Sequence, residues 1–106
     1  MNDYCMIEVA FGNLDETNKV INKLLEEKLV ASCQLIESSS KWNWKNELEE
    51  SKEYLVLMKT KKSLQEKIYA VIKQIHSYDC FEFAVFELTS CNKDYLNWID
   101  EVVINR

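Results

Sequence analysis

The side chains best suited to chemistry in this sequence are its single histidine, His76, and two acids that follow it, Asp79 and Glu82. Imidazole and carboxylate groups are ligands that divalent transition metals accept. The pattern therefore predicts a metal site that contains His76 and Glu82. One histidine does not make a tight site, and a histidine after a helix is also favourable beside the negative end of the helix dipole. Both interpretations stay open on the residues alone.

A second group of candidate ligands is a run of four glutamates within residues 47–53. Carboxylate oxygens suit hard cations, but the run lacks the alternating ligands and the glycine of a calcium loop. We interpret the run as a solvated strand arm whose charges discourage edge-to-edge aggregation. Its members are Glu47, Glu49, Glu50 and Glu53.

The four cysteines contain no C-x-x-C pair, so a zinc ribbon or a redox motif is not expected. We expect reduced, mostly buried thiols, as in a cytoplasmic protein. The chain has one glycine and no proline, which excludes the glycine-rich loops that bind nucleotide phosphates. The cysteines are Cys5, Cys33, Cys80 and Cys91.

Length and charge restrict the class of protein. A chain of 106 residues predicts a single domain, residues 1–106. The net charge of −5 argues against a nucleic-acid partner, because neutralising phosphates requires a basic face. The acidic start of the chain does not resemble a signal peptide, and no apolar run approaches the length of a membrane span, so we expect no membrane partner.

The elements that must position these side chains are organised around one long β-hairpin at residues 32–60. Its first arm ends with Trp42 and Trp44, which a strand would place on one face because they are two residues apart. The turn is predicted near Lys45 and Asn46, since asparagine tolerates the positive φ of a tight hairpin turn. One end of the hairpin is apolar and suited to a core, and the other end is polar and extended.

The elements before the hairpin are a strand and a helix. Residues 4–11 are almost continuously apolar, which predicts a strand covered on both faces. Asn13 and Glu16 form a capping box that begins a helix, and apolar residues at helical spacing extend it to about Lys28.

The elements after the hairpin are predicted in the same way. Ser63 and Glu66 form a second capping box before an amphipathic helix. Residues 81–88 predict the fourth strand, and Asn92 begins a short terminal helix. The order predicts an α+β, ferredoxin-like βαββαβ sandwich with a long β2-β3 hairpin, an additional C-terminal helix and both main helices on one face of an antiparallel sheet.

Four short segments carry a resemblance to a known family. Residues 28–33 read KLVASC, residues 42–46 read WNWKN and residues 57–60 read LMKT. Residues 76–79 read HSYD, followed by Glu82 and by YLNW at residues 95–98. In this order and spacing the segments resemble the CutA family of divalent-cation tolerance proteins, from the first strand to Trp98.

The chain also departs from the family pattern. Asn46 stands where the family has a glycine, Ser77 and Phe81 stand where it has prolines, and Asp79 replaces a glutamate. Some members carry a cysteine, proposed as a copper ligand, at the position of Ala10. Copper binding through a thiol at that position is therefore not expected.

The resemblance implies a cytoplasmic homotrimer with strand pairing between subunits, linked to copper and other divalent cations, and it does not imply a catalytic reaction. We therefore expect a protein that is not an enzyme. Because His76 lies near Asp79 and Glu82, we also expect weak binding of Cu(II) or another divalent cation, with His76 and Glu82 as the candidate ligands. Family-like residues predict an intersubunit pocket, although tryptophan and tyrosine are also frequent in ordinary interfaces. The predicted pocket residues are Trp44, Lys59, Tyr78 and Trp98, beside Glu82.

Two other functions are compatible with the predicted fold, which does not decide function. One is a signalling trimer like the nitrogen-regulatory PII proteins, which carry a long mobile loop between the second and third strands. The regular alternation here argues against such a loop. The other is an acylphosphatase-like enzyme, which needs an arginine in a phosphate-binding loop, whereas the one arginine is Arg106 at the C-terminus.

Overall fold

The structure is a computed structural model and describes residues 3–104. Within that range it has β1 (Tyr4–Phe11), α1 (Leu14–Glu26), β2 (Ser32–Trp44), β3 (Glu47–Lys61), a 3₁₀ turn (Lys62–Leu64), α2 (Gln65–Ile75), β4 (Ala84–Glu87) and α3 (Lys93–Val102). The strands form one antiparallel sheet in the order β2-β3-β1-β4. The predicted α+β fold and element order are confirmed. Arg106 lies outside the described residues.

One face of the sheet forms the core beneath the two main helices. On β1 every second side chain is completely buried, which is the alternation of a strand with a single apolar face. Both helices direct an apolar stripe toward this face. The side chains that meet there include Cys5, Ile7, Val9 and Phe11 of β1, Val20 and Leu24 of α1, and Ile68 and Ile72 of α2.

The opposite face, which we call the open sheet face, is only partly covered by this chain. Directly paired residues lie on the same face, so the register places Met6, Glu8, Ala10, Ile36, Leu55, Leu57 and Phe86 there. Ile36 is 45% exposed and Phe86 is 47% exposed. The apolar run of β1 predicted a strand that is covered on both faces. Within this chain, only the face toward the helices is completely covered.

The hairpin is paired along its whole length, from Ser32 opposite Lys59 to Trp44 opposite Glu47. The two turn residues, Lys45 and Asn46, have φ values of 51° and 68°, as a two-residue turn of the favoured type requires. The predicted turn is confirmed. A thirteen-residue strand extends ~43 Å, so the hairpin accounts for the 44 Å longest dimension of the molecule.

One of the two predicted helix caps is present. The side chain of Asn13 accepts a hydrogen bond of 2.9 Å from the Glu16 amide, as predicted. Ser63 does not cap α2; it lies inside the 3₁₀ turn, and no side chain caps the helix that follows. The extended conformation that a cap needs occurs at Lys61 instead, because the turn carries Leu64 into the core.

The fourth strand is shorter than predicted, since only Ala84–Glu87 are paired with β1 and residues 81–83 are not in a strand. The aromatic side chains of Phe81 and Phe83, which we predicted in the strand, pack against other aromatic rings instead. The Phe81 ring stacks on His76, and the Phe83 ring packs edge-on against Tyr69.

The terminal helix α3 is attached to one end of the sheet. The Tyr4 hydroxyl donates a 2.7 Å hydrogen bond to Asp100, and Lys61 forms an ion pair with the same carboxylate at 2.7 Å. Ile99 is completely buried in the core. None of the helices within residues 3–104 is long and apolar enough to span a membrane.

Candidate functional site

A cavity of about 710 Å³ opens where the outer part of the hairpin faces the loop before β4. Its walls combine aromatic rings with carboxylates, and it begins at the C-terminal end of β1. The residues that line it are Ala10, Ser40, Lys41, Trp42, Trp44, Glu49, Glu53, Tyr78, Asp79, Cys80, Phe81 and Glu82. Ligand pockets typically enclose about 300–1,000 Å³, so the cavity has the size of a small-molecule site.

The hairpin supplies one wall through strand alternation. Trp42 and Trp44 project from the same face of β2, and Trp42 lies directly opposite Glu49 of β3. Trp42 is half-buried, whereas Trp44 is 46% exposed. The wall therefore presents two large apolar rings with a carboxylate beside them.

At the base of the cavity, Glu53 and Tyr78 form a buried polar pair. Glu53 is only 8% exposed, and the Tyr78 hydroxyl donates a 3.0 Å hydrogen bond to its Oε2 atom. Burial, followed by the hydrogen bond and the negative charge of Glu53, raises the pKa of Tyr78 to about 12. Tyr78 is therefore a neutral donor at physiological pH, and its hydroxyl is directed at the buried carboxyl group of Glu53.

The glycine of the chain makes this pair possible. A Cβ atom on Gly12 would lie 2.5 Å from the Tyr78 hydroxyl oxygen, closer than carbon and oxygen can approach. Gly12 therefore leaves the space in which the tyrosine ring reaches the carboxylate. The sequence showed only that the chain has a single glycine, not that a tyrosine ring packs against it.

A pair of carboxyl groups, Glu8 and Glu82, lies at the edge of the cavity. A hydrogen bond with Glu8, burial, and the negative charges of Glu8 and Glu53 raise the pKa of Glu82 to about 7. Glu8 belongs to the open sheet face, and Glu82 belongs to the loop before β4. This end of the sheet thus concentrates negative charge enough to retain a proton near neutral pH.

His76 lies beneath the loop and not at the surface of the cavity. Its side chain is completely buried, with Nε2 2.8 Å from the Ala10 carbonyl oxygen, and the Tyr78 amide donates a 3.1 Å hydrogen bond to Nδ1. Since Nδ1 accepts that hydrogen bond, it carries no proton, and Nε2 donates to Ala10. Glu16 lies 3.5 Å from Nδ1, but an ion pair there would need the proton that the Tyr78 amide excludes.

The ring of His76 is also held by stacking. Its centroid lies 4.4 Å from that of Phe11 and 4.5 Å from that of Phe81, with the planes nearly parallel. Within one chain, both nitrogens and both faces of the imidazole are therefore engaged. This arrangement explains His76 as a structural link between β1 and the loop.

The structure brings together only part of each predicted set. Trp44, Tyr78 and Glu82 line the same cavity, whereas Lys59 and Trp98 are not among its lining residues. Residues 3–104 contain no group of three or more side chains placed to hold a metal ion, and the metal site with His76 and Glu82 stays a prediction. The pocket between subunits stays a prediction.

Glu53 was missed because we interpreted the whole acidic run as solvated. Glu47, Glu49 and Glu50 are indeed exposed, but Glu53 is buried. A signal was present in the sequence: Glu53 is two residues from Leu55 and four from Leu57, so a strand places all three on the same face, which is the open sheet face.

None of the four cysteines, all of which lie within residues 3–104, forms a disulfide. Burial raises the pKa of Cys5 to about 11 and the pKa of Cys33 to about 12. Because the thiolate is the metal-binding form, a metal ion that bound either side chain would have to displace the thiol proton. Cys33 and Cys91 are half-buried and Cys80 is exposed at the cavity, so the expectation of burial holds only for Cys5.

The chain is similar in sequence to known proteins. Residues 5–102 match the family model for the CutA1 divalent ion tolerance protein. The chain is 31% identical over 96 residues to the divalent-cation tolerance protein CutA of Pyrococcus horikoshii, covering 91% of this chain and 94% of that protein. It is 33% identical over 91 residues to a CutA homolog of Danio rerio, covering 84% of this chain and 61% of that protein.

Solved structures agree with these matches. A crystal structure of a CutA1 mutant from Pyrococcus horikoshii OT3 has a TM-score of 0.91 with this chain at 30% identity, and it covers 95% of this chain and 99% of that one. The similarity therefore extends over both the sequence and the fold.

Proposed function

The chain belongs to the CutA1 divalent ion tolerance family, and we propose that it acts as a non-enzymatic homotrimer in the response to copper and other divalent cations. The observation that carries this proposal is the family match over residues 5–102. Weak binding of Cu(II) or another divalent cation is part of the proposal. Glu82 is its candidate ligand, since His76 has both ring nitrogens engaged.

Self-association is supported by the open sheet face. Ile36 and Phe86 are nearly half exposed there, beside the half-buried Leu55 and Leu57. Exposed apolar side chains that form a continuous patch mark an interaction surface. β2 and β4 are also edge strands, and an unpaired edge is suited to pairing with another strand.

The hairpin tip supports the same proposal. Trp44 is 46% exposed and Leu48 is 70% exposed, although the tip is a two-stranded projection. Such a projection is marginally stable in water, and a tryptophan has about 150–250 Å² to bury. A neighbouring subunit against the tip would stabilise it, and closed symmetry is expected for a soluble homo-oligomer.

Native mass spectrometry of protein purified without chelator tests the assembly and the metal together. We expect about three times the 12.6 kDa mass of one chain, with substoichiometric divalent metal. Trp44→Ala should weaken the assembly, whereas Leu25→Ala, which removes a similarly exposed side chain from α1, should not. A monomer at micromolar concentration would contradict the proposal.

The cytoplasm is the proposed location. The four cysteines are free thiols, a state that a reducing compartment maintains. Measuring the thiol state of protein recovered from cells under acid quench tests this, and disulfide-linked protein would contradict it.

The alternative, a signalling trimer of the PII type, shares the proposed trimeric assembly. Its long mobile loop would fall between β2 and β3, where this chain has ladder pairing up to Trp44 and a two-residue turn. Limited proteolysis separates the two functions: cleavage concentrated at residues 40–50 would favour the PII-like alternative.

A further inference from the structure

We propose that the cavity binds an organic ammonium ion, a positive charge on an apolar body, between the Trp42 and Trp44 rings and the Glu53 carboxylate. This inference goes beyond the proposed role in cation tolerance, because it assigns an organic ligand to a site within one chain.

The first support is a buried carboxylate without a counter-ion. Glu53 is 8% exposed, and its carboxylate accepts a hydrogen bond from the neutral Tyr78 hydroxyl. None of the ion pairs within residues 3–104 includes Glu53. Burying a carboxylate is costly unless a charged group compensates it, so a cation in the adjoining cavity would stabilise Glu53.

The second support is the charge balance of the lining. Four acids and one base line the cavity, and the base, Lys41, has its ammonium 4.0 Å from Glu50 on the neighbouring strand. The acids are Glu49, Glu53, Asp79 and Glu82. A cation is thus favoured over a neutral or an anionic ligand.

The third support is the aromatic wall. The faces of indole rings attract ammonium groups, most strongly where water is excluded. Trp44 already has the Lys45 ammonium 5.7 Å from its ring centroid, which shows that a cation is accommodated at this indole. Trp42 and Phe81 add apolar surface for the body of the ligand.

Benzylammonium and benzyl alcohol form a suitable pair of probes, because they share size and shape and differ in charge. Calorimetric titration of the intact protein should give millimolar or tighter binding of benzylammonium. Benzyl alcohol should bind about tenfold more weakly or worse, as expected for the loss of a charged hydrogen bond. Equal affinities would overturn the proposal.

Protein variants locate the site. Glu53→Gln keeps a hydrogen-bond acceptor for Tyr78 and removes the charge, so it should weaken benzylammonium binding about tenfold. Glu37→Gln is the matched control, because Glu37 lies on the other face of β2 in an exposed ion pair with Lys52. Unchanged binding in Glu53→Gln would overturn the proposal.

The three tryptophans provide an independent readout. In ¹H–¹⁵N spectra the indole signals of Trp42 and Trp44 should shift with benzylammonium, whereas the signal of Trp98 on α3 should not. Absence of binding in the wild-type protein would overturn the proposal and would fit a cavity filled by a side chain of a neighbouring subunit. Light scattering measures assembly separately, so failure of the trimer proposal is distinguishable from failure of this one.

Discussion

Replacement of His76 by phenylalanine separates a structural histidine from a metal ligand. Phenylalanine keeps an aromatic ring between Phe11 and Phe81, so the stacking is retained. It removes both nitrogens and leaves the Ala10 carbonyl and the Tyr78 amide without their partners.

The magnitude follows from these two groups. Leaving a buried polar group without a partner costs about 1–3 kcal/mol. Both hydrogen bonds are only part-buried, so we expect His76→Phe to lower the free energy of unfolding by about 2–4 kcal/mol per chain. Phe81→Leu keeps both hydrogen bonds and weakens the stacking, and so measures the contribution of the ring contact.

Urea unfolding at one fixed protein concentration is the assay, because the stability of an oligomer depends on concentration. Ser77→Ala is the control: its exposed hydroxyl donates a 3.3 Å hydrogen bond to Glu16, and its loss should change little. Copper titrated into wild type and His76→Phe should bind with equal affinity. A variant with wild-type stability and lost copper binding would refute the structural role and identify His76 as a ligand.

Two further changes test the surroundings of the cavity. Gly12→Ala should displace the Tyr78 ring, since the added Cβ would lie 2.5 Å from its hydroxyl oxygen. In a spectrophotometric titration, a shift of the tyrosine ionisation to lower pH would report loss of the buried hydrogen bond. An unchanged titration would contradict this packing. The pKa of Glu82 is raised from 4.5 to about 7, so its stabilising contribution is present below pH 4.5 and is lost as the pH rises through about 7. Glu82→Gln should flatten this decrease in unfolding experiments, and an identical pH profile in wild type and variant would show that Glu82 is not responsible.

The elements that depend on local signals are the ones that the sequence predicted well. Asn13 caps α1 because the amide that it bonds belongs to Glu16, only three residues away. Lys45 and Asn46 form the turn because a two-residue hairpin turn requires only that both residues have positive φ. The element order follows from periodicity, which is also local. Ser63 had the same local pattern as Asn13, but burial of Leu64 prevailed over it.

The candidate site depends on tertiary contacts and was only partly predicted. Trp42 and Trp44 were correctly predicted to share one face of a strand, because their spacing of two residues is enough to determine it. The pair of Glu53 and Tyr78 is 25 residues apart in the sequence and forms only because Gly12 admits the ring. The engagement of both His76 nitrogens likewise comes from segments that meet only in the fold, so a lone histidine beside two acids looked free to bind metal.

The hairpin tip links the two proposals thermodynamically. Trp44 lines the cavity and is 46% exposed, so a ligand in the cavity and a neighbouring subunit would contact the same side chain. Any effect of the ligand on assembly must then equal the effect of assembly on ligand affinity. A neighbour that completes the cavity wall would make benzylammonium oppose dissociation on dilution, and a neighbour that fills the cavity would make it promote dissociation. Light scattering on a dilution series with and without benzylammonium gives the sign. We expect the first result, because the buried charge of Glu53 has no cation within the described part of the chain and a closed, drier cavity strengthens its attraction for one.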